Sequence, residues 1–129
     1  MPDRSADWLA QAERDLEVAR HLLEGGFYEW ACFVAQQAAE KAVKALYQHL
    51  HGEAWGHAVT VLLESLPEEH HPPADLVEKA KALDRYYIQP RYPNGFERGA
   101  PKDYYTRKDA EAAVSDAQAI LAFCASKIS

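Results

Sequence analysis

Between Phe27 and His51 the chain repeats apolar residues at helical spacing, and most of them are alanine. Phe27, Ala31, Val34, Ala38, Ala42 and Ala45 recur every three to four positions, the period of one face of an α-helix. Small side chains on so broad a face let neighbouring helices approach closely. The segment is therefore predicted to be the central helix of a helical domain, ending at Gly52. No alternating apolar and polar stretch elsewhere reads as a strand.

The other segments follow the same period. A first helix is predicted from Ser5 to Glu24, stopping at Gly25-Gly26, with Leu9, Leu16 and Leu23 at heptad spacing and Trp8, Ala12 and Ala19 widening the stripe. A short helix runs from His57 to Leu66 and ends before Pro67. The stretch 67–73 is a loop rich in proline, glutamate and histidine. A fourth helix covers Ala74 to Tyr87, with Leu76, Ala80 and Leu83 inward. Pro90, Pro93, Gly95, Gly99 and Pro101 then exclude a continuing helix. Thr106-Arg-Lys-Asp109 offers a capping box for a last helix, Arg107 to Lys127. Short links between long helices predict an all-α fold. Its form is an antiparallel up-and-down helical bundle of about four long helices plus one short helix, built from residues 1–129 as one domain.

With 129 residues, 48% of them apolar, the chain can bury a sizeable core. A net charge of −6 argues against a nonspecific nucleic-acid coat, so any polyanion binding has to be local. No apolar run approaches the roughly 18 residues of a membrane span, and no signal-peptide pattern opens the chain. The expectation is a cytoplasmic protein without membrane association. Cys32 and Cys124 lack Cys-x-x-Cys spacing and fit small core residues in a reducing compartment better than a disulfide. An alanine-rich central helix beside three tryptophans and four phenylalanines leaves apolar surface for a partner, predicting a homo-oligomer, dimer or higher.

The segment from Asp84 to Lys108 is chemically unlike the rest. It holds six of the fourteen cationic residues and five of the seven tyrosines, opposed only by Asp84, Glu97 and Asp103. Guanidinium groups interleaved with phenol rings suit phosphate and stacked-base recognition, which makes Arg85, Arg91 and Tyr92 the leading candidates for ligand contact. The competing expectation is that the arginines balance an acidic surface while the tyrosines pack over the bundle end. On the central helix, Gln37, Lys41, Lys44 and Gln48 share one stripe, with Glu40 placed to pair with Lys44. That stripe is either an ordinary solvated face or one wall of a polar pocket facing the Arg91 loop. Asp15 lies at the edge of the first helix's core face, where it either reaches solvent as a boundary residue or pairs with a cation, with Lys41, Lys44, Arg85 and Arg91 as candidates. Asp15 and Gln37 are expected to organise the site. His57, at the start of the third helix, either caps it or faces the loop after helix four. His49 and His51 flank a helix end. Glu68-Glu69-His70-His71 has ligand chemistry, but adjacent residues do not converge on one ion, so neither a metal site nor a cofactor is expected.

Taken together these pieces resemble the HEPN domain. The matching features are Trp8, Ala12, Asp15-Leu16 and Ala19; the stretch from Gly26 to Leu46, including Gln36-Gln37-Ala-Ala-Glu40-Lys41; His57; Tyr87-Ile-Gln-Pro-Arg-Tyr-Pro-Asn94; and Tyr105-Thr106 with Asp109-Ala110. The resemblance implies a self-associating helical bundle, often encoded beside a minimal nucleotidyltransferase in toxin-antitoxin-like systems. Many members are ribonucleases using an arginine followed after four to six residues by a histidine. No histidine follows Arg85, Arg91, Arg98 or Arg107 here. The one numerical match, Arg14 to His21, lies on the polar face of the first helix. No catalytic residue is assigned on this basis. The reading is a module that partners a minimal nucleotidyltransferase and binds a nucleotide or RNA phosphate at Arg85, Arg91 and Tyr92, with Lys41, Lys44 and His57 lining the cleft. Two alternatives are a metal-independent ribonuclease with a noncanonical site using His57 as base, and a structural or antitoxin-like subunit.

Overall fold

The computed structural model describes residues 3–128. Five α-helices carry the fold: α1 Ser5–Glu24, α2 Tyr28–His49, α3 Val59–Glu64, α4 Ala74–Asp84 and α5 Arg107–Ile128. No strand occurs among the described residues, and none of their helices is long and apolar enough to cross a membrane. The all-helical bundle expected from the sequence is the fold observed.

α2 is the central helix. Ala31, Ala35, Ala38, Ala39, Ala42 and Ala45 are fully buried along it, between α1 on one side and α5 on the other. The facing helices answer with small residues of their own, Ala12 and Ala19 from α1 and Ala110, Ala113 and Ala117 from α5. Close backbone approach follows from these side chains, and Leu46, Leu63, Leu83 and Ile120 fill the remaining core. Cys32 and Cys124 are buried free thiols, each pushed up to about 12 by burial.

Helix ends obey local chemistry. Gly26 adopts φ 83°, and the N–H groups of Gly26 and Phe27 donate back to the carbonyls of Leu23 and Leu22, closing α1. The same motif closes α2, with a departure from expectation. His51, at φ 57°, takes the left-handed position, while the Gly52 N–H donates to Tyr47 O. α2 therefore stops at His49 rather than His51, and Phe27 precedes the helix instead of opening it.

α3 starts later than expected, leaving His57 outside it. The reason is Asp84, at the end of α4, whose carboxylate accepts the N–H of Val59 at 2.7 Å and of Thr60 at 3.2 Å. A carboxylate from another helix thus satisfies the first turn of α3. The Tyr47 hydroxyl donates to Leu62 O at 2.7 Å and ties α3 to α2.

α4 ends at Asp84, not Tyr87, because Pro90 lacks an N–H and disfavours helical backbone before it. Beyond α4 the chain makes an ordered run of single 3-10 turns, Gln89–Arg91, Pro93–Gly95 and Pro101–Asp103, each with proline at its first or second position. The Asp103 carboxylate accepts the Ala100 N–H at 2.9 Å, Phe96 stacks on Tyr104 at 4.3 Å, and the Tyr104 hydroxyl donates to Arg98 O. α5 opens on the anticipated capping box. The Thr106 N–H donates to Asp109 Oδ2 at 2.9 Å and the Asp109 N–H to Thr106 Oγ1 at 3.2 Å.

Candidate phosphate-binding site

The five tyrosines of the basic segment divide by what they touch. Tyr86 and Tyr105 meet edge to face at 5.9 Å against the core, and burial pushes both phenols up, Tyr105 to about 12. Those two pack. Tyr87, Tyr92 and the Arg91 side chain form a different arrangement.

Arg91 sits in the 3-10 turn Gln89–Arg91, one turn beyond Tyr87, and its Nε–H donates to Tyr87 O at 2.7 Å. That bond fixes the guanidinium plane. Its carbon lies 4.4 Å from the Phe33 ring centre, 4.8 Å from Tyr87 and 5.3 Å from Tyr92, a cation among three aromatic rings. No carboxylate lies within ion-pairing distance of it among the described residues. Arg85, Arg98 and Lys108 are likewise unpaired among those residues, whereas Lys102 meets Asp103 and Arg107 meets Glu111. Rings that hold a guanidinium by its face leave its outward N–H groups to meet two oxygens of an oxyanion such as phosphate.

The rings continue to either side of Arg91. Trp30 meets Phe33 edge to face at 6.2 Å, Phe33 lies 6.4 Å from Tyr87, and Tyr87 stacks on the His57 imidazole at 4.4 Å. Glu29, Trp30, Arg91, Pro93, Pro101 and Lys102 line one shallow groove between the start of α2 and the proline-led turns.

A polar network runs from His57 along α2. The His57 Nδ1 lies 3.1 Å from both oxygens of the Glu40 carboxylate, which also accepts from Gln36 Nε2 at 3.2 Å and Lys44 Nζ at 3.1 Å. Gln36, fully buried, donates to His57 O at 3.1 Å and accepts from Gln37 at 2.8 Å. Gln37 Oε1 in turn meets Lys41 Nζ at 3.4 Å, and Lys41 forms a 2.7 Å ion pair with Asp15. Asp15 thus has a cation, from the first of the candidates the sequence offered.

The expected residues separate into two groups. Arg91 and His57 both meet Tyr87, and Tyr92 meets Arg91. Arg85 is exposed at the end of α4, outside the Arg91 groove, on an open surface it shares with Asp84, Tyr87, Ile88 and Gln89. Lys41 and Lys44 do not line the Arg91 groove. They face other hollows, Lys41 with Arg4 and Trp8, Lys44 with Trp8 and Trp55, and reach the site only through Glu40 and Gln37. Trp30, Phe33, Gln36 and Tyr87 entered the sequence reading as features of the resemblance but not as site residues. For Trp30 and Phe33 a signal was available on α2, where Trp30, Phe33, Gln37, Glu40 and Lys44 stand three or four apart on one face, whereas Tyr87 lies beyond α4.

Three comparisons bear on this geometry. A family model described as the HEPN domain matches residues 5–128. A protein of Methanocaldococcus jannaschii named "Putative toxin MJ1304" is 34% identical over 124 residues, covering 88% of this chain and 81% of that protein. Among solved structures, TT1696 from Thermus thermophilus superposes with a TM-score of 0.95 at 49% identity, covering 98% of this chain and 99% of that one. ST0689, described as an archaeal HEPN homologue, gives 0.84 at 45% identity over the full length of both chains.

Proposed function

Since the chain belongs to the HEPN domain family, we propose that it is a toxin-antitoxin-type module that binds the phosphate of a nucleotide or nucleic acid at Arg91 and works with a minimal nucleotidyltransferase. The observation that carries the binding role is the Arg91 guanidinium, oriented by Tyr87 O, faced by aromatic rings and lacking a carboxylate partner among the described residues. An arginine serving only to balance surface charge has no need of that setting. The name of the Methanocaldococcus relative supports the toxin-antitoxin context. Exposed Phe27, Trp55 and Ile88 support self-association. Titration with nucleotides and short RNA, comparing the native chain with Arg91→Ala and Arg91→Lys, tests the site. Binding lost in the first and weakened in the second is expected, because lysine keeps charge but not the planar fork. Equal binding by all three removes the site. Co-purification with a minimal nucleotidyltransferase tests the partnership.

A second reading, metal-independent RNA cleavage, is favoured by the contact of Glu40 with His57. A carboxylate on Nδ1 selects the tautomer whose Nε2 is a free base. That nitrogen would take the proton of a ribose 2′-hydroxyl while Arg91 stabilises charge on the phosphate. Cleavage of RNA in chelator, abolished by His57→Ala and by Arg91→Ala, is the expected result. Cleavage indifferent to both changes rejects it.

A further inference from the structure

The Arg91 guanidinium is flanked on both sides by aromatic surface. Toward the start of α2 stands Trp30, 42% exposed, packed by its neighbour Phe33 and lining the same groove as Arg91 and Lys102. On the other side is His57, with one ring face stacked on Tyr87 and 51% of its side chain exposed. Glu40 holds the imidazole in that orientation. Trp30 and His57 thus sit at opposite ends of a row of four rings, with the unpaired cation beside its middle members.

We infer that Arg91 receives an internal phosphodiester of a single-stranded oligonucleotide, with the base on one side stacking on Trp30 and the base on the other on His57. This rests on the phosphate-binding role of Arg91 and specifies its ligand. A mononucleotide has one base and can use only one end of the row. Inorganic phosphate uses neither. Aromatic faces accept any base, so the site selects for a strand with two unstacked neighbours rather than for a sequence. A duplex, whose bases stack on each other, offers no face to either ring.

The test exploits an inversion of charge. Adenosine monophosphate carries more negative charge than a dinucleoside monophosphate, so attraction to a lone arginine favours the former. The stacking site favours the latter. Affinities for inorganic phosphate, AMP, a 2′-O-methyl dinucleoside monophosphate and a 2′-O-methyl tetranucleotide would be measured by calorimetry, the 2′-O-methyl groups preventing cleavage. The native protein is expected to bind the dinucleoside monophosphate more tightly than AMP. Trp30→Ala should weaken it by about 5- to 150-fold, the range of one lost base stack. Trp30→Phe should restore most of that loss, which separates stacking from damage to the fold. Tighter binding of AMP, with Trp30→Ala without effect while Arg91→Ala abolishes binding, overturns the two-base site and leaves the phosphate role standing. Absence of binding by any of the four probes overturns both.

Discussion

Removing the carboxylate of Glu40 tests the polar network that joins His57 to α2. Glu40 is 6% exposed, and its two oxygens serve Gln36, Lys44 and His57. In Glu40→Ala the three donors fare differently. Gln36 is fully buried but keeps His57 O as an acceptor at 3.1 Å. His57 is half exposed and can turn to water. Lys44, with a side chain 16% exposed, loses the counter-charge it has among the described residues. Breaking a buried pair costs about 3–5 kcal/mol, and a hydrogen bond to a charged group about 1.5–3 kcal/mol. Lys44 reaches solvent in part, so a loss of about 3 kcal/mol is expected. For a chain of this size that is a fall in Tm of roughly 10 °C. Urea unfolding followed by helical circular dichroism measures it. Adding Lys44→Met to Glu40→Ala should cost less than the two single changes together, by about 1 kcal/mol or more, because no orphaned ammonium remains. A loss below about 1 kcal/mol for Glu40→Ala, or strict additivity in the pair, would refute the reasoning.

Asp84→Ala removes the carboxylate that caps α3 from α4 and should cost about 1 kcal/mol in urea unfolding, while Asp84→Asn, which retains an acceptor, costs less. Ala38→Leu places extra carbons where α2 is fully buried and should destabilise by about 1–3 kcal/mol, read from the same denaturation curve. Cys32, Cys124 and Tyr105 are held protonated by burial, with folded values of about 12 that lie above their unfolded ones. The stability they add is whole below the unfolded thiol value of about 8.5 and is lost as pH rises toward 12. The urea midpoint should therefore fall above about pH 9, and the Cys32→Ala, Cys124→Ala double variant should show a shallower fall. A midpoint constant from about pH 7 to about pH 11 contradicts that.

The backbone of this protein was largely legible because its signals are local. Gly25-Gly26 ends α1, and Thr106 with Asp109 opens α5, through groups a few residues apart. One misplaced end, the start of α3, has a cause that is not local. His57 lies outside α3 because Asp84, 25 residues beyond Val59, supplies the cap. The candidate site was half legible for the same reason. Arg91 stood out by composition, and the partner of Asp15 was within the set that helical geometry allows. Nothing near Arg91 in sequence points to Phe33, and nothing near His57 announces that Tyr87 will stack on it. Those pairings arise from how α2 and the end of α4 meet. The lysines misled because a helical stripe gives azimuth only, and the ends of Lys41 and Lys44 follow their acids.

The proline-led turns between α4 and α5 also bear on how the protein would spend free energy on a ligand. A connection from Arg85 to Thr106 without a strand or a long helix would ordinarily sample many conformations and lose that freedom on binding. Here Pro90, Pro93 and Pro101 restrict φ at the head of each turn, in the unfolded chain as well as the folded one. The conformational entropy of the Arg91 loop is thus surrendered during folding rather than on ligand binding. A guest meeting this loop encounters a surface whose ordering cost has already been met, and its binding entropy should reflect displaced water and its own immobilisation more than any stiffening of the protein.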